Sequence, residues 1–176
     1  MTQLDFYTPC LKSLVLRQTA GPLGNPAVVD PRLRLPSNLR EFQLSNDYWI
    51  LERAYIQSLP QSLSELTQLQ KLQIYGLDVI EHPQDWSGFV NLEVVDLNTI
   101  EIDSWLPAFT TLPKLKLLRL SIPYFAPPGN TPTIPPAFAN LADTLEELDV
   151  SGCRITDPAE RQRVQGLLPA TRIRFE

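Results

Sequence analysis

Leu92-Glu93-Val94-Val95-Asp96-Leu97 sets the frame for the whole chain. It has the form L-x-x-L-x-L, with Val95 in the middle apolar slot. Leu69, Leu72 and Ile74 carry the same pattern upstream; Leu115, Leu118 and Leu120 carry it downstream. The step from Leu69 to Leu92 is 23 residues, and so is the step from Leu92 to Leu115. A fixed period of this size marks stacked units, each burying its apolar face against the next. Four further triplets extend the series. They are Leu11, Leu14 and Leu16; Leu39, Phe42 and Leu44; Leu145, Leu148 and Val150; and a weaker Ala170, Ile173 and Phe175. First positions are 23 to 30 residues apart, the variation expected where units take surface insertions.

Within a triplet the alternation is that of a strand. Val95 and Leu97 share one pleat face, while Val94 and Asp96 share the other. The first pair points into a core and the second toward solvent. Between triplets the apolar residues change spacing. Ile56, Leu59, Leu63, Leu66 and Leu69 stand three and four apart, which predicts helical or 3₁₀ turns. Trp86 and Phe89 before Leu92, and Ile100, Ile102, Phe109 and Leu112 before Leu115, continue that apolar return.

These triplets resemble the leucine-rich repeat family, and the resemblance covers nearly the whole chain from about Leu11 onward. Ile56-Gln57-Ser58-Leu59-Pro60 is similar to the I-x-x-L-P segment of that family. The resemblance implies an α/β solenoid, a horseshoe formed by residues 1–176 as one domain. About seven short parallel strands line its concave face, and helical, 3₁₀ or irregular turns its convex face. One feature departs from the family, whose ninth repeat position holds Asn or Cys. Here Thr19, Asp47, Leu77, Ile100, Pro123 and Cys153 stand there, and only Cys153 fits. The turns after the strands are therefore expected to be irregular.

Two proline-rich inserts, Thr19 to Ser37 and Ser121 to Pro136, leave the ends of strands and rise along one rim. Residues 157–176 have the signals of a cap. Asp157-Pro158-Ala159-Glu160 supplies an N-cap acid, proline at the first helical position and a glutamate beyond it. Val164, Leu167 and Leu168 form an apolar stripe, Pro169 ends the helix, and Thr171 to Glu176 alternates as an edge strand. The arrangement resembles the last unit of bacterial leucine-rich repeat proteins.

The 176 residues carry a formal charge of −5, against a general attraction to nucleic acid or anionic membrane. The first residues lack a basic start and an apolar run, and no apolar stretch reaches the length of a membrane span. A cytoplasmic, monomeric protein is the expectation. Proline (17) outnumbers glycine (7), which suits fixed turns rather than flexible linkers. Cys10 and Cys153 belong to the first and sixth units, about 24 Å apart at strand spacing, so both thiols are expected free. His82, the single histidine, has no Cys or second His near it in sequence to build a metal site. No phosphate loop, nucleophile elbow or zinc motif is present. No enzymatic activity, metal or cofactor is expected.

The solvent-facing slots hold the specific information. The third slots are Ser13, Glu41, Lys71, Val94, Leu117, Glu147 and Arg172, and the fifth are Val15, Gln43, Gln73, Asp96, Arg119, Asp149 and Arg174. Charges of opposite sign fall on neighbouring strands, in position to pair. Val94 and Leu117 interrupt them with two adjacent apolar groups. Tyr75 lies one strand before, and Ile122, Tyr124 and Phe125 follow at the rim. An apolar cluster ringed by charges such as Lys71, Asp96 and Arg119 has the composition of an interaction hot spot. Alternatively, the second insert folds over Val94 and Leu117 as a satellite core. The expected function is a non-catalytic protein-binding module whose partner is another protein. A second possibility is the recognition domain of a larger bacterial effector or ubiquitin-ligase adaptor.

Overall fold

The computed structural model describes residues 11–18, 32–46, 55–76, 78–83, 85–123, 126 and 129–176. Seven of its strands form one open parallel sheet. They are β1 (Ser13–Gln18), β2 (Glu41–Asn46), β4 (Lys71–Tyr75), β6 (Val94–Asn98), β7 (Leu117–Ser121), β8 (Glu147–Gly152) and β9 (Arg172–Arg174), side by side in that order. The protein is α/β and repeat-like, each strand lying beside the strand of the next unit.

The register follows the third-slot row. Ser13 stands opposite Glu41, Glu41 opposite Lys71, Lys71 opposite Val94, Val94 opposite Leu117, Leu117 opposite Glu147, and Glu147 opposite Arg172. The physical reason is the period of two. A one-residue slip would put a whole inward row into water. That row includes Phe42, Leu72, Val95, Leu118 and Leu148, all buried, and a second row runs through Leu44, Ile74, Leu97, Leu120 and Val150. Burying each such side chain stabilises the fold by about 1.5–3 kcal/mol.

The backbone repeats at the strand starts. The Lys12 carbonyl accepts the amides of Arg40 and Glu41, at 2.8 and 2.9 Å. The carbonyls of Arg40, Gln70, Glu93 and Lys116 each accept two amides from the next unit in the same way. Side-chain identity plays no part in these bonds, so the residues there are free to vary.

The returning segments close the core from the other side. A 3₁₀ turn at Gln61–Glu65 buries Leu63, and another at Pro136–Leu141 buries Phe138 and Leu141. Helix α1 (Ile102–Phe109) buries Ile102, Trp105, Leu106 and Phe109, the i, i+3, i+4, i+7 face of a helix. Trp86 packs edge-on to Trp105 and Phe109, with ring centroids 5.8 and 5.7 Å away. One local expectation fails. Residues from Ile56 do not begin with a 3₁₀ turn. Instead β3 (Tyr55–Ser58) and β5 (Asp78–Glu81) pair in parallel as a separate two-stranded sheet, and the 3₁₀ turn starts only after Pro60. Tyr55-Ile56 and Val79-Ile80 are aromatic and β-branched pairs that favour extended backbone.

The cap forms. Helix α2 (Pro158–Leu167) starts at Asp157, whose Oδ1 accepts the Ala159 amide at 3.0 Å. Glu160 turns to Arg163 instead of back to the cap, with Nε 2.6 Å from Oε2. At the other end Leu14 is 9 % exposed, whereas Leu72 and Leu118 are fully enclosed. Ser62 ties the tail of the first insert down, accepting the Leu35 amide at 3.0 Å and donating to the Leu33 carbonyl at 2.7 Å.

Candidate functional site

The open face of the sheet carries the third- and fifth-slot side chains. Val94 and Leu117 begin β6 and β7, stand opposite each other and are both half-exposed. Lys71 adjoins Val94 on β4, and Glu147 adjoins Leu117 on β8. The expected apolar pair is therefore assembled. The second insert's described residues bind the opposite layer. The Thr133 amide donates to Asp103 Oδ1 of α1 at 3.0 Å, and the Arg163 guanidinium of α2 donates to the Ile134 carbonyl.

Ile122 corrects an expectation. It is 6 % exposed and belongs to the core, not to the rim. Its parity explains this: Leu118, Leu120 and Ile122 point to one side, Arg119 and Ser121 to the other. Tyr124 and Phe125 lie outside the described residues.

Tyr75 ends β4 opposite Asn98, away from Val94. Its hydroxyl donates to Asp96 Oδ2 at 2.7 Å and accepts from Gln73 Nε2 at 2.5 Å. Arg119 Nη1 donates to the same Asp96 oxygen at 3.3 Å. Burial and the Asp96 carboxylate push the Tyr75 hydroxyl up to about 12, against smaller opposing effects of Gln73 and Arg119. Tyr75 is thus a half-buried strut holding a nearly buried aspartate. Gln73, two residues before it on the same strand face, is a member of this group that motif reading passed over; the i, i+2 spacing was its signal.

The charge rows pair, with changes of partner. Arg119 Nε stands 3.8 Å from Asp149 Oδ2. Arg172 lies 2.8 Å and Arg174 3.3 Å from the two oxygens of Glu147, so Arg174 leans diagonally instead of meeting Asp149. Asp149 instead accepts the Ser151 amide and hydroxyl, at 3.1 and 2.6 Å. The D-x-S spacing was the signal for that turn. Glu41 and Lys71 stand in register with no ion pair between them.

Cys153 is buried, and its thiol donates to the Leu120 carbonyl of the preceding unit at 3.2 Å. Burial, then the charges of Asp149 and Asp103, push it up to about 12, so it is a poor nucleophile. Cys10 lies outside the described residues. His82 stacks on Trp105 at 4.4 Å, with ring nitrogens 3.1 Å from the Pro83 carbonyl and 3.3 Å from the Ser104 hydroxyl. Among the described residues no group of three or more His, Cys, Asp or Glu is placed to hold a metal ion, and no helix is long and apolar enough to cross a membrane. No protein-family model matches the chain, and no curated protein matches it.

Proposed function

We propose that this chain is a leucine-rich repeat protein acting as a non-catalytic protein-binding module, with the open sheet face as its concave working surface. One observation carries the proposal: Val94 and Leu117 stand side by side, half-exposed, in a face whose third and fifth slots are otherwise polar apart from Val15 on β1. Adjacent apolar groups with charged neighbours suit a desolvated contact ringed by orienting charges. Lys71, Asp96 and Arg119 are the polar edge, and Tyr75 holds that edge in shape. The non-catalytic side is supported by the two reactive side chains described. His82 is engaged by Pro83, Ser104 and Trp105, and Cys153 is enclosed with a raised thiol pKa.

The test is capture of partners on immobilised protein, comparing the wild type with a Val94→Glu/Leu117→Glu variant. Both sites are half-exposed, so the variant keeps its urea melt while losing the partner. Equal capture by both proteins defeats the proposal.

A further inference from the structure

The charges that β6 to β9 carry on the open face are layered by depth. Asp96, Asp149 and Glu147 side chains keep only 9, 14 and 16 % of their exposure, whereas Arg119, Arg172 and Arg174 keep 47, 63 and 47 %. Three carboxylates form the floor and three guanidiniums lie over them. Formal charge cancels, yet an approaching molecule meets the cations first. Asymmetry of this kind sets the local potential more than the sum of charges does.

The guanidiniums also have donors to spare. Each carries five N–H groups in a planar fork suited to carboxylate. Arg119 donates one hydrogen bond, to Asp96, and its 3.8 Å approach to Asp149 is longer than a hydrogen bond. Arg172 and Arg174 share the single carboxylate of Glu147. Leu117 precedes Arg119 by two residues on the same strand face, so the apolar pair and the guanidinium layer are continuous. The ammonium of Lys71, beside Val94, has no ion pair among the described residues.

We infer that β6 to β9 take an acidic segment of another protein. Its carboxylates lie on Arg119, Arg172 and Arg174, and an aliphatic side chain rests on Val94 and Leu117. The inference rests on the protein-binding function proposed above. A polypeptide is favoured over nucleic acid because the apolar pair Val94 and Leu117 adjoins the cations and suits an aliphatic side chain.

The test starts from a display library of short random peptides selected on the full chain. The strongest peptide is then synthesised and measured by fluorescence anisotropy. Selected peptides are expected to be rich in Asp and Glu around an aliphatic residue. Arg172→Gln/Arg174→Gln weakens binding about tenfold, the sum of two exposed ion pairs of under ~1 kcal/mol each. Glu147→Gln is the companion variant. It removes the floor charge, leaves both arginines less compensated and strengthens binding, the opposite sign from general loss of structure. Added salt weakens binding to the wild type. Neutral or basic peptides that Leu117→Glu abolishes overturn the acidic partner but keep the protein-binding surface. Peptides indifferent to both Leu117→Glu and Val94→Glu overturn that surface as well, as does a selection that enriches nothing. An oligouridylate probe that displaces the peptide and depends on the same arginines overturns the polypeptide partner.

Discussion

At the beginning of each strand, from Lys12 to Lys116, one carbonyl accepts two amides of the next unit; at the described strand ends the backbone contact recurs only after β6 and β7, where Thr99 donates to the Ser121 carbonyl and Ile122 to the Gly152 carbonyl, and the side chains there differ from unit to unit. Strand β4 runs into Gly76 at φ 64°. Strand β6 runs into Asn98, whose amide donates to Ser121 Oγ at 2.8 Å. Strands β7 and β8 shift register between Arg119 and Ser121, Gly152 comes opposite Ser121, and Arg154 follows at φ 57°. The difference teaches where the repeat is encoded. At the starts the backbone does the work, so Arg40, Gln70, Glu93, Lys116 and Glu146 need share nothing. At the ends particular residues take part, among them Gly76, Asn98, Ser121 and Gly152.

Both ends rest on the same closed core, which sets the largest effect. Leu118 near a start and Leu97 near an end are both fully buried. Leu97→Ala and Leu118→Ala should each cost about 2–5 kcal/mol in urea unfolding. If Leu97→Ala alone were mild, the ends would be loosely packed and the contrast would be one of packing, not of hydrogen bonding.

The contrast sharpens at Gly152. A Cβ there would lie 2.5 Å from Ser121 Cβ and 3.0 Å from its Cα, so a strand must move. Gly152→Ala is expected to cost about 1–3 kcal/mol by overpacking. A neutral result would show that the β7–β8 shift is permitted rather than imposed.

Tyr75→Phe is smaller, about 1 kcal/mol at neutral pH, because Asp96 keeps Arg119 as a donor. Its pH dependence is diagnostic. The folded-state hydroxyl titrates near 12 against an ordinary 10.0. The protonated form favours the fold, so its contribution is complete below about pH 10 and is lost as pH rises toward 12. Cys153, raised to about 12 from 9.0, acts in the same direction. Urea midpoints of Tyr75→Phe should therefore fall less steeply than wild type through this window. An unchanged slope would place the alkaline loss elsewhere.

The smallest effect belongs to a strand start. Lys116 makes an exposed 3.0 Å pair with Glu93, and its backbone alone carries the ladder. Lys116→Ala should stay within about 0.5 kcal/mol of wild type. A larger loss would mean that side chains at the starts matter after all.

Register and inward rows were legible because a single alternation, repeated at each triplet, leaves no second solution for Val95, Leu118 or Leu148. Ile122 was legible too, by parity with Leu120, but it was assigned to the rim because it follows the strand. The returning segments were harder. Spacings of three and four at Ile56 to Leu69 fit a turn, while the pairing of β3 with β5 depends on a strand a unit away. On the open face, sequence gave the slots of Arg119, Asp96 and Glu147 but not their depth. Depth follows from side-chain length: short carboxylates stay at the floor and long guanidinium arms lie over them. The hydroxyl direction of Tyr75 is a rotamer choice that no spacing reveals.

The ladder at the strand starts also bears on how the chain assembles in time. Every rung joins residues of adjacent units, from 23 to 31 positions apart. Loop closure over that range differs by only a few tenths of a kcal/mol, too little to select a starting point. Burial selects it instead. Val95 and Leu118 at the middle of the sheet are fully enclosed, whereas Leu14 keeps 9 % of its surface and Ile173 is half-exposed. Folding is therefore expected to nucleate within β4 to β8, whose inward residues are all enclosed, and zip outward to both edges, and amide protons should exchange last at Leu97 and Leu118 and first at β1 and β9.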